Sequence, residues 1–352
     1  MKKNLKKPGK DLFFKKVVDS ITKGINERAV AMIADRFGLI DKKNKTLGEI
    51  GDNYGITRER VRQIIKEAIN KVKQKAREDE LFKKAEEKIK FTIKENYGII
   101  SKKELIKLLS SNEDEENFIA FILHCSDSFD VIENEEEMED VVAHKEFDFK
   151  FWKNIKEKAK EILHFHKKTL SGDEFFEEFL KHYSEMEKGA LFSFLGVSRE
   201  IKKGVFEKWG IAHWKEIAPK GVKEKSHLII KEHNKPLHFR EVAKLIDEFN
   251  LSKKKTHPQT VHNELIKNEK FVLVGRGTYA LREWGYQKGT VKDVITEILI
   301  KSEEPLHQDE IIERVLSVRN VKKTTIVINL NNFFQKTGKQ KYALKKKIKE
   351  KA

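Results

Sequence analysis

The sequence predicts a mainly α protein: a helix-turn-helix followed by tandem winged-helix modules, each of three helices plus a β-hairpin. Three observations carry this expectation. Residues 46–65, TLGEIGDNYGITRERVRQII, set two short helical patterns around a glycine turn. The C-terminal half repeats itself imperfectly, SHLIIKEHNKPLHFREVAKLIDEF (226–249) against DVITEILIKSEEPLHQDEIIERVL (293–316). A chain of 352 residues, 38% hydrophobic and 37% charged, suits several small solvated cores better than one large one. We divide it into a basic tail (1–15), a helix-turn-helix (16–77), an acidic winged-helix-like module (78–152) and a divergent helical, winged-helix-like module (153–222). A winged helix (223–286), a second copy of it (289–346) and a basic tail (347–352) complete the chain.

The helix-turn-helix is argued residue by residue. Its first helix covers residues 46–54, and Gly55 sits where the chain must turn with φ above zero, which glycine adopts without steric cost. Thr57 supplies an N-cap hydroxyl for the second helix. Gly51, inside the first helix, lets the second cross closely. Val61, Ile64, Ile65 and Ala68 recur at helical spacing and form a buried stripe. Arg58, Glu59, Arg62 and Gln63 share the opposite face, with Arg60 on its flank. Such side chains pair with guanine, cytosine and adenine edges or with phosphate.

These residues, with NERAVAMIADRFGLID upstream, resemble region four of primary bacterial sigma factors, the module that reads the promoter −35 element. The resemblance covers about residues 17–72. It implies base contacts for Arg58, Glu59 and Gln63, and backbone contacts for Arg36, Leu47, Thr57, Arg60 and Arg62. The implied partner is double-stranded, promoter-like DNA. The chain departs from the family at Ile65-Lys66-Glu67, where acidic-small-basic is usual, and in ITKGINER, which holds extra residues before the first helix.

Charge is unevenly placed. Residues 1–77 hold 21 Lys and Arg against 9 Asp and Glu, and residues 223–352 hold 28 against 16, so each end carries +12. Residues 78–152 hold 10 against 21, a net −11, and residues 153–222 hold 14 against 11, a net +3. Both ends are drawn to a polyanion and the acidic segment is repelled by it. The runs EDEEN (113–117) and ENEEEMED (133–140) read as mostly solvated acidic face.

In the middle, IKFTIKENYGIISKKELIKLL (89–109) gives helix, turn and helix, followed by NFIAFILHC and SFDVIE as a helix and a strand. AKEILHFHKKTLSGDEFFEEFL (159–180) repeats that opening. We read both segments as helical spacers of winged-helix ancestry. Ser198, Arg199 and Lys202 are a candidate recognition-helix start, whereas Trp209 and Trp214 read as core or module-packing residues.

The C-terminal repeat has an amphipathic helix, a Pro-Leu-His turn and a second amphipathic helix in each copy. In the first copy a third helix leads to FVLVG, a Gly275-Arg276-Gly277 turn and TYALREW, a hairpin signal. The linker between the copies, residues 285–289, is short. PLHFREVAKLI, KTHPQTVHNELI and FVLVGRGTYALREWGY resemble the HARE-HTH domain over residues 225–286, a winged module known from the delta subunit of bacterial RNA polymerase and from restriction and chromatin proteins. The second copy is shorter before its third helix and lacks the terminal tryptophan. Lys253, Lys254, Lys255 and Arg276 are phosphate-contact candidates on charge and loop position.

Enzyme chemistry is not expected. GxxxxGK[ST], GxSxG and HExxH are absent from the sequence, and GRG at 275–277 fits a hairpin turn better than a dinucleotide loop. His164 and His166, with the lone Cys125 elsewhere, fall short of the three or four convergent ligands a metal needs. We expect no cofactor, no metal and no membrane span. The N-terminus is basic without a following apolar stretch, unlike a secretory signal, so we expect a cytoplasmic protein. The expected function is a sequence-specific transcription regulator or sigma-like protein. Alternatives are an accessory subunit binding core RNA polymerase and a DNA modification or defence-linked sensor.

Overall fold

The computed structural model describes residues 12–110, 114–286, 289–302, 304–319 and 321–345. Most of the two basic tails, the start of the acidic run at 113, and residues 287–288 of the linker lie outside this set. The chain divides into two compact units, Met1–Lys203 with Lys208–Ala212, and Gly204–Glu207 with His213–Ala352.

The first unit opens with four helices, α1 (Phe13–Thr22), α2 (Glu27–Phe37), α3 (Leu47–Tyr54) and α4 (Arg58–Ala76). α5 (Glu80–Glu95), β1 (Ile99–Ser101), α6 (Lys102–Leu109), α7 (Glu116–Cys125), β2 (Phe129–Ile132) and β3 (Val141–His144) follow. Next come α8 (Phe149–His166), β4 (Leu170–Ser171), α9 (Gly172–Leu180), α10 (Lys188–Gly196), β5 (Ile201–Lys203) and β6 (Lys208–Ile211). The second unit runs α11 (Val222–His233), β7 (Leu237–His238), α12 (Phe239–Glu248), α13 (Pro258–Lys267), β8 (Phe271–Gly275) and β9 (Thr278–Leu281). It closes with α14 (Val291–Ser302), β10 (Leu306–His307), α15 (Gln308–Val318), α16 (Lys323–Phe333), β11 (Gln335–Gly338) and β12 (Lys341–Ala343).

After α4, then, one order repeats four times: helix, strand, two helices, two strands. In every repeat the last strand is central, as in β1-β3-β2 and β7-β9-β8. The mainly α, tandem winged-helix architecture is what the sequence predicts, and the two middle segments are winged helices in full. The sheets hold one strand more than a hairpin. Pro-Leu-His reads as a turn, yet Leu237 pairs with Tyr279 and His238 with Thr278 as a short antiparallel strand. Two residues are too few to show a period in sequence.

In the first unit the helix-turn-helix and the first winged helix share one core. Phe14, Val17, Val18 and Ile21 of α1 are buried with Ala85 and Ile89 of α5 and with Ile119 and Ile122 of α7. Buried Glu115 accepts a hydrogen bond from the backbone N–H of Phe14 at 2.8 Å, satisfying a donor at the start of α1. Asn117 donates to the Gly38 carbonyl at 2.8 Å, and the Phe37 and Phe121 rings meet edge to face at 4.9 Å. The acidic run is therefore only partly a solvated face.

The second acidic run departs further from that expectation. The loop between β2 and β3 lies against the second winged helix, with Met138 bridging Ser198. Glu137 binds Lys156 at 2.7 Å, and Lys202 pairs with Glu139. A run of like charge looks solvated in sequence because its partners come from other elements. α10 completes the joint, where the Ser193 hydroxyl donates to the Asn96 carbonyl at 2.7 Å and buried Trp152 donates to Phe194 O at 2.9 Å.

Candidate nucleic-acid interface

The geometry of α3 and α4 follows from their ends. Thr46 caps α3 in a reciprocal pair: its hydroxyl accepts from Glu49 N–H at 3.2 Å, and the Glu49 carboxylate accepts from Thr46 N–H at 2.7 Å. Those bonds from Thr46 hold the Glu49 carboxyl below the usual glutamate value. Gly55 ends the helix with φ of 64°. At Gly51 a Cβ would lie 2.6 Å from the backbone oxygen of Ile56, so the tight turn requires glycine there. The Thr57 hydroxyl then accepts from Arg60 N–H at 3.2 Å to start α4.

Val61, Ile65 and Ala68 are buried, Ile64 is half-buried, and Arg58, Glu59, Arg60, Arg62 and Gln63 are all exposed. The exposed groups are already organised. Arg62 grips the Glu59 carboxylate with two donors at 2.8 and 2.6 Å, Gln63 donates to Glu59 at 3.4 Å, and Arg60 donates to Gln63 at 3.3 Å. The Arg62 hydrogen bonds hold the Glu59 carboxyl below its usual range, keeping it an ionised acceptor. An acceptor, an amide and three guanidinium groups on one helix face form a set that can address base edges and phosphates together.

The remaining sequence-predicted positions surround this helix. Arg36 is exposed and donates to the Lys45 carbonyl at 3.0 Å, beside the start of α3. Leu47 is half-buried in the first turn of α3, packed on the core, and Thr57 is the exposed cap already described. Sequence reasoning missed Arg28, which donates to the Tyr54 carbonyl at 3.1 Å and lies 5.8 Å from the centre of the Tyr54 ring. With Arg60 and Lys71 it lines a groove of about 310 Å³ alongside α4. Its signal in sequence was a basic residue two positions after the Asn26 cap.

Lys253, Lys254 and Lys255 are exposed between α12 and α13, and Arg276 is exposed at the turn between β8 and β9. Gly277, with φ of 69°, closes that turn so tightly that a Cβ would sit 2.6 Å from the His238 ring.

Ser198, Arg199 and Lys202 do not begin a recognition helix. The third helix of that module is α10, which ends at Gly196. Ser198 is fully buried and accepts from Glu200 N–H at 3.1 Å, Arg199 donates to the Met138 carbonyl at 2.6 Å, and Lys202 lies on β5. The three build the joint between the first two winged helices. Trp209 is buried and stacked on Phe192 at 5.0 Å, while Trp214 is half-buried.

Among the described residues, Glu137, Glu157 and Glu200 form the one group of three potential metal ligands. The Lys156 ammonium occupies it, 2.7, 3.0 and 2.5 Å from the three carboxylates. Burial opposes that charge, but the three carboxylates outweigh burial and raise the lysine above its usual pKa. Cys125 is buried, which pushes its thiol up to about 12. No helix among the described residues is long and apolar enough to cross a membrane.

Known proteins match two parts of this framework. Residues 23–74 match the family model of Sigma-70, region 4, and residues 221–284 match that of HARE-HTH, the ASXL and restriction endonuclease HTH domain. The RNA polymerase sigma factor sigB of Arabidopsis thaliana is 41% identical over 69 residues, 20% of this chain and 12% of that protein. The sigma factor RpoD of Helicobacter pylori is 47% identical over 57 residues, 16% of this chain and 8% of that protein. The principal sigma factor HrdD of Streptomyces viridifaciens is 38% identical over 61 residues, 17% of this chain and 18% of that protein. The matched segment thus spans less than a fifth of each of these relatives. The chain carries a sigma region 4 type, DNA-binding helix-turn-helix at its N-terminal end and a HARE-HTH winged helix in its C-terminal half.

Proposed function

We propose that this chain is a sequence-specific, promoter-binding transcription protein that reads an element resembling the −35 box through α4. The observation that carries the reading is the exposed, pre-organised set on that helix. Arg58, Glu59 and Gln63 address bases, while Arg36, Leu47, Thr57, Arg60 and Arg62 lie against the backbone. Glutamate accepts from cytosine, glutamine pairs with adenine and arginine with guanine, each good pair worth about 1–3 kcal/mol of discrimination. Lys253, Lys254, Lys255 and Arg276 add phosphate contacts. The chain has no catalytic role in this reading, and double-stranded DNA in the cytoplasm is its partner. Selecting bound duplexes from a random pool tests it. The intact chain should enrich one short motif, and the Arg58→Ala/Glu59→Ala/Gln63→Ala chain should enrich none.

A second reading is an accessory subunit that grips core RNA polymerase through the sigma-like module. The RNA polymerase sigma factors among its relatives favour it. Against it, α1 and α2 spend apolar surface on α5 and α7 within this chain. Co-purification with core polymerase in the absence of DNA would favour the second reading over the first.

A further inference from the structure

The four winged helices differ in what their third helix faces. α7 buries Phe118, Ile119, Phe121, Ile122, Leu123 and Cys125, and α10 buries Ala190, Leu191, Phe194 and Leu195. Both are apolar around much of their circumference and serve the packing of the first unit. α13 and α16 each bury one residue and the residue four positions later, Val261 with Leu265 and Ile326 with Leu330. Such a narrow stripe leaves the rest of a helix for solvent or a ligand.

Of these two, α16 belongs to a surface of one sign. From Arg314 to Lys349 the sequence holds eleven Lys and Arg and no Asp or Glu, and the carboxylates of residues 289–346 all precede Arg314. Lys322 and Lys323 are exposed at the start of α16. β11 is exposed at every position, and the exposed Lys336, Lys339 and Lys341 follow one another around its turn into β12. Among the described residues none of these five lysines has a carboxylate partner. The HARE-HTH module is different. Its cations alternate with Glu264, Glu269 and Glu283, and Val272, Val274 and Ala280 of its hairpin are buried.

We infer that residues 291–345 form a second DNA-binding site, which holds the phosphate backbone of duplex DNA through Lys322 and Lys323 and the Lys336–Lys341 wing. It does so without reading bases. Lysine ammonium groups act as mobile point charges that contact phosphate and carry no sequence information. A carboxylate-free face of five such groups complements a polyanion, and each phosphate it neutralises releases counterions into bulk salt. The inference extends the proposed function to a module that neither family model covers and assigns it the larger share of backbone affinity in the C-terminal half.

The test uses the full chain, a duplex of random sequence and a potassium chloride titration, so that its outcome does not depend on a −35-like motif. Replacing Lys322, Lys323, Lys336, Lys339 and Lys341 with glutamine should reduce the slope of log K against log salt by about 3–4, since each lost contact removes roughly 0.9. The five-arginine counterpart should keep the wild-type slope, which separates charge from folding. Glutamine at Lys253, Lys254, Lys255 and Arg276 should change the slope by less than half as much. A wild-type slope from the five-glutamine chain, a larger loss from the HARE-HTH variant, or tenfold tighter binding of duplex RNA than duplex DNA would each overturn the inference. Failure of the promoter reading shows elsewhere, as an unchanged motif from the Arg58→Ala/Glu59→Ala/Gln63→Ala chain.

Discussion

Arg62 holds Glu59 at 2.6 and 2.8 Å, yet the two side chains are 54% and 59% exposed, so the pair adds little to stability. Its consequence is for recognition. While Glu59 engages Arg62, the arginine is partly neutralised and the carboxylate is aimed from a fixed position. Glu59→Ala should therefore do two things at once. It should erase preference at one or two base positions, costing about 1–3 kcal/mol on the preferred duplex. It should also free Arg62 for phosphate, so that binding to scrambled duplex strengthens and its salt slope steepens by roughly 0.9. Fluorescence anisotropy with preferred and scrambled duplexes measures both. Loss of affinity for both duplexes alike would assign Glu59 to holding the helix rather than to reading DNA.

At the scale of elements, the turn between α3 and α4 depends on two glycines for different reasons. Gly55 supplies a left-handed backbone, and Gly55→Ala should cost roughly 1–2 kcal/mol from that conformation alone. Gly51→Ala places a methyl group against the Ile56 backbone oxygen, a contact that cannot rotate away, and should cost about 1–3 kcal/mol. Chemical denaturation of the intact chain should show both losses, and an unaffected Gly51→Ala chain would mean that the helices separate freely. This turn was legible in sequence because every signal is local: the Thr46 and Thr57 caps, the glycines and the Val61–Ile65–Ala68 stripe lie within one short segment. The short strands β4, β7 and β10 were not, because two residues have no period and gain their identity from a partner about forty positions away. The acidic loop was misread for the same reason, since Lys156 reaches Glu137 from 19 residues further on and Glu200 from 44 residues before.

For the whole molecule, the shared core decides where the chain divides. A cut after residue 77 would expose Phe14, Val18, Ile21 and Ala76, which α5 and α7 help to bury. It would also leave the Phe14 N–H without Glu115. Residues 1–77 alone should therefore melt broadly and at lower temperature than residues 1–212, which keep that core. A cooperative, equally stable melt from 1–77 would show the helix-turn-helix to be independent of the first winged helix. The account's central claim is that α4 reads DNA sequence while basic surfaces elsewhere supply affinity. Selection from a random duplex pool with three versions of the full chain tests it most directly. The wild type should return one motif, the five-glutamine variant of the last module the same motif with weaker enrichment, and the Arg58→Ala/Glu59→Ala/Gln63→Ala chain no motif. A motif that survives the triple substitution unchanged would contradict the claim.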